Sequence, residues 1–259
     1  MDTIRDAIQG MDAVIHMAAL RITACAAEPR EAFDTMCAGT FNVVDEARRD
    51  GIEKIVAASS ASIYGLAEKF PTREDHHPYS DDTWYGASKI LLEGLLRSYK
   101  VMHDLPYVAL RYFNVYGPRM DIHGKYTEVL IRWMERIVAG QPPIIFGDGL
   151  QTMDFVYIDD VAKANVLALA SDVSGEVFNV ARGQETSLRD LAETLLKIMD
   201  SDLDIEFAPE RSVNPVPRRL ADTSKAERLL DFRADVSLEE GLDRLVKWWL
   251  QTRATAVEA

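Results

Sequence analysis

Two cysteines in 259 residues, Cys25 and Cys37, are too few for a disulfide framework and lack metal-ligand spacing, so they read as buried thiols. No apolar run approaches the roughly 20 residues needed to cross a bilayer. The opening Met1-Asp2-Thr3-Ile4-Arg5-Asp6 has none of the basic-then-apolar character of a secretion signal, and the expected setting is cytoplasmic. Basic residues are also short: 29 Lys and Arg face 42 Asp and Glu, for a formal net charge of -13. That balance argues against a nucleic-acid partner, while leaving room for a small anion held by a few local arginines. Apolar content is ample, 47% of residues, and at this length it can fill one large core or two smaller ones.

Along the chain, apolar periodicity predicts a helix at 2–10, a strand at 12–19 ending in small residues, and a long helix at 29–50. That helix turns Phe33, Phe41, Val44 and Ala47 inward and is closed by Gly51. A buried strand follows at 54–59, then a polar loop from 65 to 83 with Pro71 and Pro78, a helix from Tyr85 through Tyr99, and a strand at 106–112. This alternation predicts an α/β fold with a doubly wound parallel sheet, its active residues gathered at strand carboxyl ends. The chain then leaves the sheet for a helix at 127–139 and a short strand at 144–146. It returns through a helix capped by Asp159 or Asp160 and a strand at 176–180. Ser187 with Asp190, and Ser237 with Glu240, have the Ser-x-x-acid spacing of capping boxes and mark two later helix starts. The division expected is a sheet-bearing domain at 1–117 with about 158–181, and a smaller lobe at 118–157 with 182–259.

Chemistry concentrates at Tyr85-Gly86-Ala87-Ser88-Lys89, read with Ser59-Ser60-Ala61-Ser62-Ile63-Tyr64-Gly65. On a helix Tyr85 and Lys89 share a face, so the ammonium can favour the ionised phenol. A phenol titrates near ~10, and a base useful at neutral pH must be pulled down by cations, here Lys89 and a positively charged nicotinamide. Ser60, delivered by the strand before it, would share the proton of a reacting hydroxyl. His16 reads as a structural residue at a strand end.

Seven motifs in order now stand together: Val14-Ile15-His16-Met17-Ala18-Ala19, Gly39-Thr40-Phe41-Asn42-Val43, the Ser60 segment, Tyr85-x-x-x-Lys89, Arg111-Tyr112-Phe113-Asn114-Val115-Tyr116-Gly117-Pro118-Arg119, Gly147-Asp148-Gly149 with Asp154-Phe155-Val156-Tyr157, and Asn179. With them the chain resembles the extended short-chain dehydrogenase/reductases, and within that family the nucleotide-sugar epimerases. The resemblance implies a Rossmann-type fold, NAD as cofactor, a nucleotide diphosphate sugar as substrate, and a homodimer built on helices 29–50 and 85–100. It makes Ser60, Tyr85 and Lys89 the catalytic residues. It places Ala18, Ala19 and Ser59 with Tyr85 and Lys89 along the cofactor, and Asn114, Arg119 and Arg211 on the substrate. The implied reaction is epimerisation at C4: hydride leaves to NAD and returns to the other face. Ala61 and Ser62 stand where a dehydratase of the family carries an Asp-Glu pair, which favours this simple chemistry.

Three features depart from the family pattern. The Gly-x-x-Gly-x-x-Gly turn that meets the cofactor diphosphate occurs nowhere in the sequence. Roughly 50 to 60 residues of a complete two-unit nucleotide fold are expected to be absent, and with them a firm grip on NAD. Met36 and Met153 replace an asparagine and an arginine common in the family. Alternatives are therefore another sugar-nucleotide oxidoreductase, or a non-catalytic remnant that binds a nucleotide sugar or a partner.

Overall fold

A computed structural model describes residues 2–78, 80–122, 129–210 and 216–257. The strands among them are, in chain order, β1 (Ala13–His16), β2 (Lys54–Ser60), β3 (Tyr107–Tyr112), β4 (Asn114–Tyr116), β5 (Ile144–Phe146), β6 (Thr152–Tyr157), β7 (Glu176–Val180), β8 (Glu185–Ser187) and β9 (Glu206–Ala208). Four of them make a parallel sheet in the order β1-β2-β3-β7. Register is set by pairs such as Val14 with Ile55, Ala57 with Ala109, and Leu110 with Phe178.

The sequence of the central strands explains why both faces are covered. Ile55 and Ala57 of β2, with Tyr107 and Ala109 of β3, point toward Val44 and Ala47 of one helix and Leu92 and Leu96 of the helix Trp84–His103. Their neighbours Val56, Val108 and Leu110 point the other way, onto Val161, Ala164 and Ala168 of the helix Ile158–Ala170. Alternate residues thus feed two apolar layers, which a near-continuous apolar run requires in a parallel sheet. Fully burying each large aliphatic side chain contributes roughly 1.5–3 kcal/mol. Strand β1 is different. Among the described residues it pairs with β2 alone, and Ile15 and Met17 are exposed.

The predicted helix at 29–50 is one uninterrupted helical run: Pro29–Ala32, a π-helical stretch Phe33–Ala38, and Gly39–Asp50, closed by Gly51 at φ 75°. The wider π turn spaces the inward residues by four, so that Ala32, Met36, Thr40 and Val44 are buried. Phe33 and Phe41, expected inward, are instead 43% and 45% exposed. A short helix absent from the sequence expectations, Ile22–Ala27, follows β1. The helix at 158–170 is not capped by an aspartate side chain. Asp160 instead accepts the backbone N–H groups of Asp235 and Val236. Both predicted capping serines do cap: Ser187 Oγ accepts from Asp190 N at 3.0 Å and Ser237 Oγ from Glu240 N at 3.1 Å.

A separate core lies beyond the sheet, where Leu130, Trp133 and Met134 of the helix Val129–Val138 meet Leu191 and Leu195 of Leu188–Ile198 and Leu242, Leu245 and Trp249 of the last helix. The expected lobe at 182–259 is not uniform, however. Ala226, Leu230 and Phe232 pack with Phe178 and Val180 on the sheet, because the helix Ser224–Leu230 returns to it. The two cores are tied by Asp154 of β6, whose carboxylate accepts N–H bonds from Arg182, Gly183 and Ala221 at 2.9–3.1 Å. Burial lifts that carboxyl to about 6.

Candidate active site

Ser60 ends β2, where the chain turns sharply into the 3-10 segment Ala61–Tyr64. Its Oγ accepts the Ser62 N–H at 3.1 Å, and its side chain lies near enough to Tyr85 to favour the ionised phenol. Tyr85 lies in the first turn of the helix Trp84–His103. That helix start is fixed by Thr83, whose Oγ1 accepts from Gly86 N at 3.0 Å. Asp81 Oδ1 in turn accepts from Thr83 N and Oγ1 at 3.2 and 2.9 Å. Gly86 leaves room for this arrangement, because a β-carbon there would stand 2.1 Å from the Asp81 carboxylate and displace it.

Lys89 follows one turn later and is buried, its Nζ 5.6 Å from the centre of the Tyr85 ring. Its ammonium donates to the carbonyl of Ala58 at 2.7 Å, and loss of hydration lowers its pKa to about 8. The phenol does not behave as the sequence predicts. Burial raises the Tyr85 pKa, and the influences that oppose it are the Ser60 side chain and the charge of Arg219, not Lys89. The physical reason is that the Lys89 ammonium is turned to β2.

Ser60 and Tyr85 open on a cavity of 980 Å³ that Ala19, Arg21, Thr23, Ser62, Asn114, Arg132, Trp133, Arg136, Phe146, Met153 and Arg219 also line. Ala18 is exposed beside it at the end of β1. Ser59 is not part of the lining: alternation along β2 turns it away, and its Oγ donates to Glu93 at 2.5 Å. Arg119 does not line the cavity either, being exposed at a left-handed turn with φ 68°. Arg211 lies outside the described residues. Met36 packs under Tyr85 with Cys25 and Leu20. His16 is structural, its Nε2 hydrogen-bonded to Thr40 Oγ1 at 3.0 Å. Burial first, and then the Lys89 charge, lower its pKa to about 4.

Arg219 is among the cavity residues that the sequence reasoning missed. The signal was the pair Arg218-Arg219 after Pro217 in an extended segment, where adjacent side chains point to opposite sides. Arg218 pairs outward with Glu185 at 2.6 Å, and the Arg219 N–H bonds Thr152 O at 2.9 Å, which turns its side chain to the cavity.

A polar network links the sheet to the loop that follows β2. Arg111 donates to both Glu93 oxygens at 2.9 and 2.7 Å, and to Tyr64 at 2.9 Å and the Glu74 carbonyl at 2.8 Å. Tyr64 donates to Asn179 Oδ1 at 2.6 Å, and Asn179 Nδ2 bonds the carbonyls of Thr72 and Asp222. The loop at 65–83 is thereby pinned to the sheet. Among the described residues no metal-binding cluster of His, Cys, Asp or Glu is present.

Residues 1–181 match the NAD dependent epimerase/dehydratase family. A UDP-glucose 4-epimerase of Mycolicibacterium smegmatis is 36% identical over 212 residues, 82% of this chain and 67% of that protein. The crystal structure of UDP-glucose 4-epimerase from Thermotoga maritima, with UDP-glucose, superposes with a TM-score of 0.91 at 32% identity, over 97% of this chain and 82% of that one. That of UDP-glucuronic acid 4-epimerase from Bacillus cereus, with UDP-glucuronic acid and NAD, does so at 0.86 and 30%, over 96% and 78%.

Proposed function

Because this chain belongs to the NAD dependent epimerase/dehydratase family, we propose that it epimerises a nucleotide diphosphate sugar at C4, with Ser60, Tyr85 and Lys89 as its catalytic residues. The observation that carries this reading is the meeting of Ser60 and Tyr85 at the wall of a 980 Å³ cavity, with Lys89 buried beneath them. Tyr85 takes the proton of the C4 hydroxyl and Ser60 holds that oxygen. A cation brought beside the phenol favours its ionised form, against the effect of burial. Asn114, with Arg132 and Arg136, meets the phosphates, and Phe146 offers an apolar face to the base.

The residues present fit the nicotinamide half of NAD. Ala18 and Ala19 leave space at the end of β1, and the Lys89 ammonium, with one proton on Ala58, has two more to give to a ribose. When bound, NAD accepts the hydride and gives it back, and the protein supplies position and proton transfer. The glycine turn for the diphosphate half does not occur in the sequence. The alternative reading is a chain that binds the sugar nucleotide without turning it over. Incubation with NAD and UDP-glucose or UDP-glucuronate, followed by product analysis, separates the cases. Epimerase action yields the C4 epimer without net NADH, an oxidoreductase leaves a net change in NADH, and a binding protein yields neither.

The division into a nucleotide domain at 1–117 with 158–181 and a substrate lobe at 118–157 with 182–259 belongs to the same proposal, with 224–232 reassigned to the sheet. Its support is the separation of the two cores. A homodimer is supported by an apolar groove between the helices at 29–50 and 84–103, lined by Phe33, Phe41, Leu91 and Leu95. No described helix is long and apolar enough to cross a membrane, and the cytoplasm is the proposed setting.

A further inference from the structure

Four arginines line the cavity and no acidic side chain does, in a chain whose net charge is -13. They are not equivalent. Arg21 is paired with Asp121 at 3.1 Å, and Arg136 donates to the Pro142 carbonyl at 2.6 Å and to Glu206 at 3.2 Å. The Arg219 guanidinium has neither an ion pair nor a hydrogen bond among the described residues. The groups near enough for their charges to act on it are Tyr85 and Asp81, and Asp81 is already committed to Thr83. Arg219 is thus a partly buried cation beside the reacting tyrosine, and burial alone lowers its pKa. A guanidinium stripped of water needs an anion or several acceptors to offset the loss.

Position separates Arg219 from the other cations. Arg132 and Arg136 lie on the helix Val129–Val138 of the second core, on the wall that also presents Trp133, Ile144 and Phe146. That wall suits a base and its diphosphate. Arg219 shares its end of the cavity with Tyr85 and also lines an adjoining recess with Ser62, Asp81 and Thr83. In a sugar whose C4 hydroxyl meets Tyr85, the neighbouring ring carbon C5 carries the next substituent, a neutral hydroxymethyl in a hexose or a carboxylate in a uronic acid. Known relatives take both kinds of sugar, so kinship does not choose between them.

We infer that the substrate is a nucleoside diphosphate uronic acid, whose C5 carboxylate pairs with Arg219 while its C4 hydroxyl meets Tyr85 and Ser60. This rests on the nucleotide-sugar reading above and names the substrate class within it. The planar guanidinium matches a carboxylate with two parallel bonds, and the hydroxyls of Ser62 and Thr23 lie in the same cavity to complete its hydrogen bonding.

Calorimetry of the purified chain with UDP-glucuronate, UDP-glucose and UDP tests this without relying on turnover. UDP-glucuronate is expected to bind roughly ten- to hundredfold more tightly than UDP-glucose, the scale of a charge-assisted bond. Arg219→Gln should bring that ratio close to one, and Arg219→Lys should restore part of it. Equal affinities in the unaltered chain would overturn the inference. So would an Arg219→Gln loss shared equally by UDP, since Arg219 would then serve the diphosphate. Failure of all three ligands to bind would instead overturn the nucleotide-sugar reading on which the inference stands.

Discussion

Lys89, one turn beyond Tyr85 on the same helix, donates to the Ala58 carbonyl at 2.7 Å and stands 5.6 Å from the centre of the Tyr85 ring. The helix therefore holds the ammonium against β2, while its first turn presents Tyr85 to the cavity that Ser60 also lines. In the proposed reaction Ser60 and Tyr85 handle the proton and Lys89 is the buried cation beside them.

That cation has a signature in titration. The Lys89 pKa is lowered from 10.5 to about 8 by burial, so between those values the unfolded chain binds more protons than the folded one. Stability should accordingly rise with pH across that window, by roughly 3 kcal/mol for the full shift. Lysine-selective NMR should show one side chain titrating near 8, absent in Lys89→Met, and urea unfolding should lose this component in the same variant. A Lys89 midpoint near 10.5 would contradict the buried placement.

His16 acts at the acid end. Its pKa is depressed from 6.5 to about 4 by burial, and then by Lys89. The stabilisation is present above 6.5 and is lost as pH falls through the folded value near 4, because the unfolded chain takes up the proton first. The loss should amount to roughly 3 kcal/mol. His16→Gln, which keeps a partner for Thr40, should flatten the stability profile between pH 6.5 and 4, as read by chemical denaturation at several pH values.

The sheet and the Tyr85 helix were legible in the sequence because their apolar periods are strong and their punctuation is local. Gly51 ends one helix, and Ser187 and Ser237 start two others. What was not legible depended on tertiary geometry. The π turn at Phe33–Ala38 moved Phe33 and Phe41 to the outer face, which no propensity signals. Ser59 and Ser60 look interchangeable in sequence, yet strand alternation gives one to Glu93 and the other to the cavity. Arg219 was hidden for a similar reason: its neighbour Arg218 takes the outward ion pair, and only the course of the extended segment tells them apart.

Arg111 and Glu93 form a buried bidentate pair. Arg111→Leu leaves the Glu93 carboxylate without its charge partner and should destabilise the chain by roughly 3–5 kcal/mol. Adding Glu93→Leu should recover part of that loss, which a double-mutant cycle by urea denaturation would read. Additive effects would show that the pair is not coupled.

The groove between the two outer helices exposes Phe33, Phe41 and Leu91. If a second copy covers it, Phe41→Asp with Leu91→Asp should convert the dimer to monomer in light scattering while leaving the monomer folded. A monomeric starting protein would remove the dimer from the account.

The central claim is that Tyr85 moves the proton of the reacting sugar hydroxyl. Its most direct test is C4 epimerisation of UDP-glucose and UDP-glucuronate by the purified protein with NAD, compared with Tyr85→Phe, which keeps the ring and removes the hydroxyl. The account predicts a fall in turnover of at least ~10²-fold, the lower scale of positioned acid-base catalysis, with nucleotide-sugar affinity little changed. Near-normal turnover in Tyr85→Phe would contradict it.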